Sequence, residues 1–528
     1  SYFVEIPKAS KLSLRVGAPE AGATARVRIT PEGGSEKELV SKPVAGKWEE
    51  QVVALDAWAG MPVRIDLIAE GTGSVAWSSP SILVADEKLA AIAKPAKNVV
   101  VLLIDTMRAD FLRPNNPKSK VKTPALEQLA AEGVVFDAAQ SPENWTKPSV
   151  ASVLTGLYPM THRAKQSESR LPDSALMVSE VLKSGGFATG TFLANGYVSD
   201  KFGFKQGWDY YTNYIRENKN TDAENVFRDA GDWIEKQKDK RFFAYIQTID
   251  PHVPYDPPAE FLKLYDAGDY AGPVRPRLTP QQLEDAKASP AKITFNQRDR
   301  EYLVALYNGE VSYHDHHMHL FIERLKKLGL YDDTLFVIVS DHGEEFYDHK
   351  SYGHGHSVYQ ELLHVPFIVR WPGVVPAGRH VPETVSTVDV SPTVLSAVGI
   401  PVPEVMEGVD RVPHMRGQVP AGPAVAFSDF LDDRRVIRAG RWKLILRGLN
   451  VTLFDLENDP GERTELDPQK HPVAMRYCRT LLGQFLGARD RGDWLSASKK
   501  AASVELKQEA ADMDEATKAG LKALGYAN

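Results

Sequence analysis

Apolar and polar positions alternate along the first 95 residues of the chain. The alternation is clearest in KLSLRV (11–16), ARVRIT (25–30), PVRIDLIAE (62–70) and SVAWSS (74–79), with Gly, Pro and Asp between them. A period of two is typical of strands with one buried and one solvated face. Residues 1–95 are therefore predicted to form an antiparallel β-sandwich, which we expect to pack on its neighbour rather than to bind a ligand.

The pattern changes at Asn98, where continuous apolar runs begin to alternate with helical stretches. The runs are VVVLLI (99–104), FFAYIQTI (242–249), TLFVIVS (334–340) and VPFIVRW (365–371). Strands buried on both faces and separated by helices indicate an α/β fold with a mixed, mostly parallel sheet between helices. We assign this α/β domain to residues 96–425.

Short strands return from Ala426 and are followed by a helical pattern near 472–487. This segment predicts a small C-terminal α+β subdomain with antiparallel strands over residues 426–490. The polar tail, residues 491–528, is predicted to be helical.

Composition narrows the possible partners. The chain of 528 residues carries 25% charged residues and a net charge of −7. A mildly acidic protein lacks the basic face that nucleic acids or anionic membranes require, so no nucleic-acid partner is expected. The apolar run at 98–104 is too short to span a bilayer, and no transmembrane segment is predicted. The chain begins at Ser1 without a signal pattern, and we expect a processed or trimmed form.

Three aspartates follow three of the apolar runs. They are Asp105, Asp250 and Asp341, and His342 comes directly after the third. Ligands of open α/β sheets bind at the carboxyl ends of the strands. Carboxylates brought together there repel one another unless a cation lies between them. Mixed Asp and His ligands favour zinc or manganese over calcium, so the sequence predicts a divalent metal at this edge.

The stretch WTKPSV, residues 145–150, suggests a nucleophile. Pro148 suits the first turn of a helix, which places Thr146 at the helix N-terminus, where free N–H groups attract an anion. Thr146 alone would be interpreted as a helix cap. Beside a metal its hydroxyl becomes a candidate nucleophile, because the cation lowers the hydroxyl pKa. Lys147 and the helix N-terminus are candidates to hold the other oxygens of the anion.

Several longer motifs together resemble the sulfatase family of the alkaline phosphatase superfamily. They include VVLLIDTMRAD, SVASVLTGLYP, VIVSDHGEEF and LFDLENDPGERTEL, and the resemblance extends from about residue 98 to 490. The resemblance implies a metal at the carboxyl edge of a mixed sheet and a nucleophile at the start of a helix. Carried over by position, it implies metal ligands at Asp105, Asp341 and His342, the nucleophile at Thr146, and a substrate or leaving-group contact at His252. His356 lies one residue from the position of a lysine that binds the sulfate group in sulfatases.

The chain departs from the sulfatase pattern at the sulfate-binding positions. Sulfatases carry Cys or Ser in Cys/Ser-x-Pro-Ser-Arg and oxidise it to formylglycine, whereas this chain has Thr146 and, in place of the Arg, Val150. Thr106 stands where sulfatases usually have a second Asp. In FLANGY, residues 192–197, Asn195 is the one polar side chain that could contact the anion. Most of the sulfate-specific residues are therefore missing.

Threonine nucleophiles of this superfamily occur in phosphatases, phosphodiesterases and phosphoethanolamine transferases. The zinc phosphatases and phosphodiesterases hold a second metal with one Asp and two His, and Asp250, His252 and His356 could form such a site. Alternatively, the two histidines bind the anion or protonate the leaving group. The sequence leaves both interpretations open.

For several other polar residues, a structural role is a better or equal explanation than a functional one. HDHHMH, residues 314–319, lies in a long helical pattern, and His316 and His319 are expected on a solvated face. Arg108 is expected to contact the anion or to form a salt bridge. His349 and His354 lie in the loop after His342 and could line the pocket, but we favour solvent exposure, which is more frequent for loop histidines. The one cysteine, Cys478, is expected to be a thiol without a role.

The predicted activity is metal-dependent hydrolysis of phosphate monoesters or diesters through a covalent intermediate on Thr146. The alternatives are hydrolysis of sulfate esters, transfer of a phospho-head-group, and a catalytically silent binding protein. The expected substrate is a small-molecule or a glycan- or lipid-linked anionic ester. The resemblance implies a periplasmic or extracellular location.

Overall fold

The structure is a computed structural model that describes residues 1–84, 92, 94–418, 422–431, 433–488, 506–515, 517–518 and 521. The chain forms two compact units. The first contains residues 1–90, 418–425 and 436–488, and the second contains residues 91–417, 426–435 and 489–528. None of the described helices has the length and apolar character needed to cross a membrane.

The N-terminal strands of the first unit form two antiparallel sheets around one core. Along β2 and β3 the buried positions alternate with exposed or half-buried ones, as the period-two pattern predicts. One sheet has the order β1-β6-β3-β4 and the other β5-β2-β7. The strands are β1 (Tyr2–Glu5), β2 (Ser10–Gly17), β3 (Ala23–Pro31), β4 (Lys37–Val44), β5 (Glu49–Ala54), β6 (Pro62–Gly71) and β7 (Ala76–Val84).

The second unit is built on an eight-stranded mixed sheet of order β12-β11-β13-β8-β14-β17-β9-β18. Five of its neighbouring pairs are parallel, and only β17 runs antiparallel to both of its neighbours, which confirms the predicted mostly parallel sheet. The strands are β8 (Asn98–Ile104), β9 (Val134–Gln140), β11 (Ala188–Leu193), β12 (Tyr210–Asn213), β13 (Phe242–Thr248), β14 (Thr334–Val339), β17 (Phe367–Arg370) and β18 (Arg379–Ser386).

Apolar clusters cover both faces of this sheet. Successive residues of β8 alternate between the two clusters, with Val99, Val101 and Leu103 in one and Val100, Leu102 and Ile104 in the other. Burial on both faces explains the continuous apolar runs. The helices are α1 (Pro124–Glu132), α2 (Thr146–Thr155), α3 (Pro159–His162), α4 (Val178–Ser184), α5 (Ala223–Lys236), α6 (Ala259–Leu262), α7 (Thr279–Lys287), α8 (Gln297–Lys327), α9 (Gln360–Leu363), α10 (Val390–Ala397) and α11 (Val412–Met415).

Short two-residue strands lie outside the large sheet of the second unit. They include β10 (Ser169–Arg170), β15 (Glu345–Phe346) and β16 (Tyr352–Gly353), of which the last two pair with each other. Much of the predicted helical tail lies outside the described residues. Its described part includes a short strand, β23 (Glu509–Ala510), that pairs antiparallel with β10.

The C-terminal segment contributes the strands β19 (Val425–Phe430), β20 (Arg434–Ala439), β21 (Trp442–Arg447) and β22 (Asn450–Asp455) and the helix α12 (Pro472–Gly487). β21 and β22 form the expected antiparallel hairpin. α12 packs against β1 and β6 of the first unit. Cys478 is buried in this helix.

Candidate active site

Two neighbouring parallel strands end in the acidic cluster. β8 ends at Ile104 and β14 at Val339, and the registers pair them along their length. Asp105, Asp341 and His342 therefore meet at one edge of the sheet, each with no exposed surface. Each offers one ligating atom within 4.8 Å of the others. His342 Nε2 lies 3.7 Å from Asp105 Oδ1 and 3.5 Å from Asp341 Oδ2.

Each carboxylate in this cluster uses one oxygen for the protein and leaves the other without a hydrogen bond. Asp105 Oδ2 accepts from the Asn195 amide at 2.8 Å, and Asp341 Oδ1 accepts from the backbone N–H groups of Thr106 and His342 at 3.2 and 2.9 Å. Asp105 Oδ1 and Asp341 Oδ2 are buried without a partner. Burial and the charge of Asp341 raise the pKa of Asp105 well above its usual value.

These observations fit a divalent cation. Two buried, unsatisfied carboxylate oxygens face one imidazole nitrogen, and a cation would satisfy all three. His342 Nδ1 donates to Gly343 O at 2.9 Å, which leaves Nε2 for the cluster. Carboxylate and imidazole ligands together are compatible with zinc or manganese.

Thr146 lies beside the cluster, at the first position of α2. Its Oγ1 is 3.2 Å from His342 Nε2, and the residue has no exposed surface. Pro148 lies in the first turn of the helix, as predicted. Ser141, in the preceding loop, donates its hydroxyl to the backbone carbonyl of Asp341. The loop before α2 is thereby tied to the end of β14, which places Thr146 at the cluster.

Lys147 does not face the cluster. Its Nζ donates to the backbone carbonyls of Gln166, Ser167 and Ser169 at 2.6, 2.7 and 2.5 Å. An ammonium has three N–H donors, so all of them are used by the chain. The structure therefore gives Lys147 a role in holding residues 166–169 against α2, in contrast to the predicted contact with the anion.

Asn195 also does not have the predicted role of contacting the anion. Its side-chain amide donates to Asp105, and its carbonyl oxygen accepts from the Tyr197 backbone N–H at 2.9 Å. Asn195 therefore orients a carboxylate of the cluster.

The predicted second metal site is not assembled. Within the described part of the chain, Asp105, Asp341 and His342 are the only group of three such side chains with ligating atoms this close. Asp250 instead accepts from the Ala223 backbone N–H at 2.7 Å, at the start of α5. His356 Nε2 lies 2.7 Å from Glu345 Oε2. Asp250 and His356 each have a nearer partner, so the structure does not bring Asp250, His252 and His356 together as the predicted second metal site.

A row of histidines extends from the cluster. The rings of His342 and His354 are 4.4 Å apart between centroids, and those of His354 and His252 are 5.0 Å apart. His354 Nδ1 lies 3.0 Å from Glu344 Oε1, and Tyr255 donates its hydroxyl to the other oxygen of Glu344 at 2.9 Å. Burial and the neighbouring His354 lower the pKa of His252 to about 3. Burial also lowers the pKa of His354, so two neutral imidazoles lie beside the cluster.

His354 is the functional candidate that the sequence underrated. Its side chain is only 11% exposed, so the expected solvent exposure is wrong. The signal was present in the glycine-flanked GHGH at 353–356, where the resemblance pointed to His356 instead. Glu344, in the DHGEE stretch, was also missed as the partner that orients His354.

The remaining candidates have structural contacts. Arg108 forms ion pairs with Asp110 and Asp348 at 2.8 and 2.9 Å, which is the predicted salt-bridge alternative. His349 Nδ1 lies 2.6 Å from Glu361 Oε1. On α8, His316 and His319 are exposed as expected, whereas His314 is buried.

A cavity of about 370 Å³ opens beside the histidines. His252 and His354 line this cavity, and His354 also contacts His342 of the cluster. Trp145, directly before Thr146, lines it as well. A volume of this size is typical of small-ligand sites.

Comparison with known proteins agrees with this geometry. The family model described as "Sulfatase" matches residues 97–400, more than half of the chain. The chain belongs to the sulfatase family. A second model, "N-sulphoglucosamine sulphohydrolase, C-terminal", matches residues 347–482. The sequence-based recognition of the family is therefore confirmed.

The relatives and structural neighbours of this sulfatase-family protein include proteins named as sulfatases and proteins named for other activities. An arylsulfatase of Clostridium perfringens is 24% identical over 75% of this chain and 95% of its own length. A multifunctional alkaline phosphatase superfamily protein, PehA of Trinickia caryophylli, is 24% identical over 75% of this chain and 96% of its own. The solved phosphonate monoester hydrolase of Agrobacterium radiobacter has a TM-score of 0.62 and 24% identity, covering 74% of this chain and 95% of its own. The protein is an ester hydrolase of the sulfatase and alkaline phosphatase superfamily.

Proposed function

We propose that this protein hydrolyses phosphate esters, monoesters or diesters, with Thr146 as the nucleophile. The observation that carries the proposal is the position of Thr146 Oγ1, at the N-terminus of α2 and 3.2 Å from His342 Nε2 of the carboxylate cluster. Threonine carries a methyl group on Cβ, so its oxidation cannot give the aldehyde of formylglycine. Phosphoryl transfer needs only the hydroxyl.

In the proposed reaction, Thr146 Oγ1 loses its proton to solvent and attacks phosphorus, and the bond to the alcohol oxygen breaks. The alcohol takes up a proton from water as it leaves on the side lined by His252 and His354. Water then hydrolyses the phosphothreonine and regenerates the hydroxyl. The backbone N–H groups of the first turn of α2 stabilise the equatorial oxygens.

Asp105, Asp341 and His342 would hold a divalent cation. When bound, the cation supplies positive charge that lowers the pKa of the Thr146 hydroxyl and offsets the charge of the phosphoryl oxygens. Asn195 and Gln247 keep Asp105 in place, with amide nitrogens 2.8 and 3.5 Å from its Oδ2. A periplasmic or extracellular location belongs to the same proposal.

A sulfate ester is the second candidate, because many relatives are named as sulfatases. Examples are the ulvan-active sulfatase of Formosa agariphila and the choline-sulfatase of Rhizobium meliloti. Transfer of a phospho-head-group would use the same nucleophile with an alcohol in place of water. A catalytically silent binding protein would not need Thr146 at all.

The test compares four esters on the full chain loaded with zinc or manganese. The esters are nitrophenyl phosphate, bis-nitrophenyl phosphate, a nitrophenyl phosphonate and nitrophenyl sulfate. Thr146→Val keeps the shape of the side chain and removes the hydroxyl, so we expect roughly a thousandfold loss of kcat. Thr146→Ser keeps the hydroxyl and should retain measurable turnover.

Thr155→Val is the matched control, since Thr155 is buried in the same helix, donates to Ala151 O and accepts from the Leu157 backbone N–H. Mass spectrometry of acid-quenched enzyme should find one added phosphoryl group on the peptide containing Thr146. Turnover of nitrophenyl sulfate alone would support the sulfatase alternative. Equal activity of Thr146→Val and wild type would exclude the threonine mechanism.

A further inference from the structure

The cavity beside the histidines has an apolar side and a charged side. Trp145 and Tyr197 line it and pack edge to face, with ring centroids 5.4 Å apart at 82°. Leu283, Phe430 and Leu431 contribute further apolar surface. Walls of this kind bury a ring of the ligand and leave its orientation to a few polar groups.

Lys287 is the only lysine or arginine among the described residues that line this cavity. It is the last residue of α7, where a positive charge is favoured by the helix dipole. A methyl group in place of the Gly353 hydrogen would lie 3.8 Å from Lys287 Nζ and 3.7 Å from Glu344 Oε1. Lys287 Nζ therefore lies near Glu344, the partner of His354, with only Gly353 between them.

The present partner of Lys287 is exchangeable. Lys287 Nζ lies 2.5 Å from Glu284 Oε1, one turn earlier on α7. The Glu284 side chain is 50% exposed, and ion pairs at such exposure contribute little stability. Glu284 also lines the cavity, so a ligand carboxylate in the cavity competes with it directly. The lysine can therefore change partner without unfolding the helix.

We propose that this cavity binds the alcohol part of the ester and that the alcohol is a ring carrying a carboxylate, which replaces Glu284 on Lys287. The ring packs against Trp145 and Tyr197, and its ester oxygen points toward His252 and His354. The inference depends on the proposed function only for the direction in which the ester lies. Aromatic hydroxy acids and uronic acids share this chemistry.

Isothermal titration calorimetry of the alcohols alone tests the inference without turnover. The ligand pairs are 4-hydroxybenzoate against phenol and glucuronate against glucose, titrated into the full chain. We expect the acid of one pair to bind roughly tenfold or more tightly than its neutral partner, as a charge-assisted contact does. The pair that shows the preference identifies the ring as aromatic or as a sugar.

Variants of α7 locate the effect. Lys287→Met should remove the preference for the acid, and Glu284→Gln should strengthen binding of the acid because it removes the competitor. Lys292→Met is the matched control, since Lys292 forms an ion pair with the neighbouring Asp285 and does not line the cavity. Thermal melts would verify that the variants are folded.

Equal affinities within both pairs, no binding of any of the four ligands, or an unchanged preference in Lys287→Met would each overturn the inference. The alcohol product is the same for a phosphate and a sulfate ester. An acid preference that disappears in Lys287→Met therefore supports the inference even if phosphate esters are not turned over, and a failed titration leaves the threonine mechanism unaffected.

Discussion

At the scale of single residues, the candidate site is defined by which buried polar atoms have hydrogen-bond partners and which do not. Asp105 and Asp341 each have one oxygen held by N–H donors and one that is buried without a donor. Lys147, next to Thr146 in the sequence, is in the opposite situation, because its ammonium group has three carbonyl partners. The two carboxylate oxygens without a donor mark the candidate position of a cation, whereas Lys147 supports the surrounding structure.

Asp341→Asn tests this difference. The asparagine oxygen can still accept from the backbone N–H groups of Thr106 and His342, while the charge beside Asp105 disappears. We expect the metal-free variant to melt at or above the temperature of the metal-free wild type. Zinc or manganese at a hundred times its Kd should stabilise the wild type by about 2.7 kcal/mol and leave the variant unchanged.

Differential scanning fluorimetry with and without metal measures both effects. Asp137→Asn is the control, because Asp137 is a partly exposed carboxylate that pairs with His380 away from the cluster. An equal metal-induced shift in Asp341→Asn and wild type would contradict the assignment of Asp341 as a ligand.

At the scale of elements, strand ends decide which aspartates meet. β8 and β14 are adjacent and parallel, so Asp105 and Asp341 share one edge. β13 is also adjacent to β8, but its chain continues past Thr248 to Asp250, whose carboxylate caps the start of α5. A helix N-terminus competes for a carboxylate as a metal does. The sequence pattern alone does not show whether an aspartate after a strand binds a metal or caps a helix.

The position of Asp250 predicts a pH dependence of stability. Burial raises its pKa from 3.8 to about 7, despite the hydrogen bond from Ala223. The folded state therefore binds a proton that the unfolded state has lost between these values. Its stabilising effect is fully present below pH 4 and decreases as the pH rises through 7. Asp250→Asn should remove this decrease, since asparagine can still accept from Ala223.

We expect Asp250→Asn to match wild type at pH 4 and to exceed its free energy of unfolding at pH 8 by about 2 kcal/mol, because Asp250 is only partly buried. Urea unfolding at the two pH values measures the difference. Asp239→Asn, at an exposed position, should follow wild type throughout. A variant less stable than wild type at pH 8 would show that Asp250 is stabilising as the carboxylate.

At the scale of the whole molecule, the first unit joins the N-terminal strands to a helix far along the sequence. α12 (Pro472–Gly487) packs against β1 and β6. Glu32, after β3, accepts from the Ala474 backbone N–H at 2.7 Å and lies 3.1 Å from His471 Nδ1. Tyr477 donates its hydroxyl to Glu5 at 3.3 Å. The N-terminal strands and the C-terminal helix are therefore one folding unit in this structure.

Glu32→Ala should loosen this unit. The substitution leaves the first turn of α12 without its acceptor, for an expected loss of about 1–3 kcal/mol. Hydrogen exchange should accelerate in residues 472–487 and in β1 and β6, with little change in the α/β sheet of the second unit. Glu36→Ala, at an exposed position, is the control. Unchanged exchange in α12 would contradict the proposed coupling.

The sequence by itself determined the family and predicted most of the strands of the large sheet and the cluster of candidate site residues. Apolar runs predicted β8, β13 and β14 because a strand buried on both faces must be apolar throughout. The predicted helix near 472–487 is α12. Asp105, Asp341, His342 and Thr146 could be found because each has a fixed place relative to a strand end or a helix start.

Only the tertiary structure decided which residues share a site across long separations. It turned Asp250 toward α5 and Lys147 toward residues 166–169, since each found a closer partner than the anion. It selected His354 over His356, because the loop after β14 brings the former against His342. It joined α12 to the N-terminal strands. Each of these contacts depends on packing between distant segments, which local pattern and spacing do not contain.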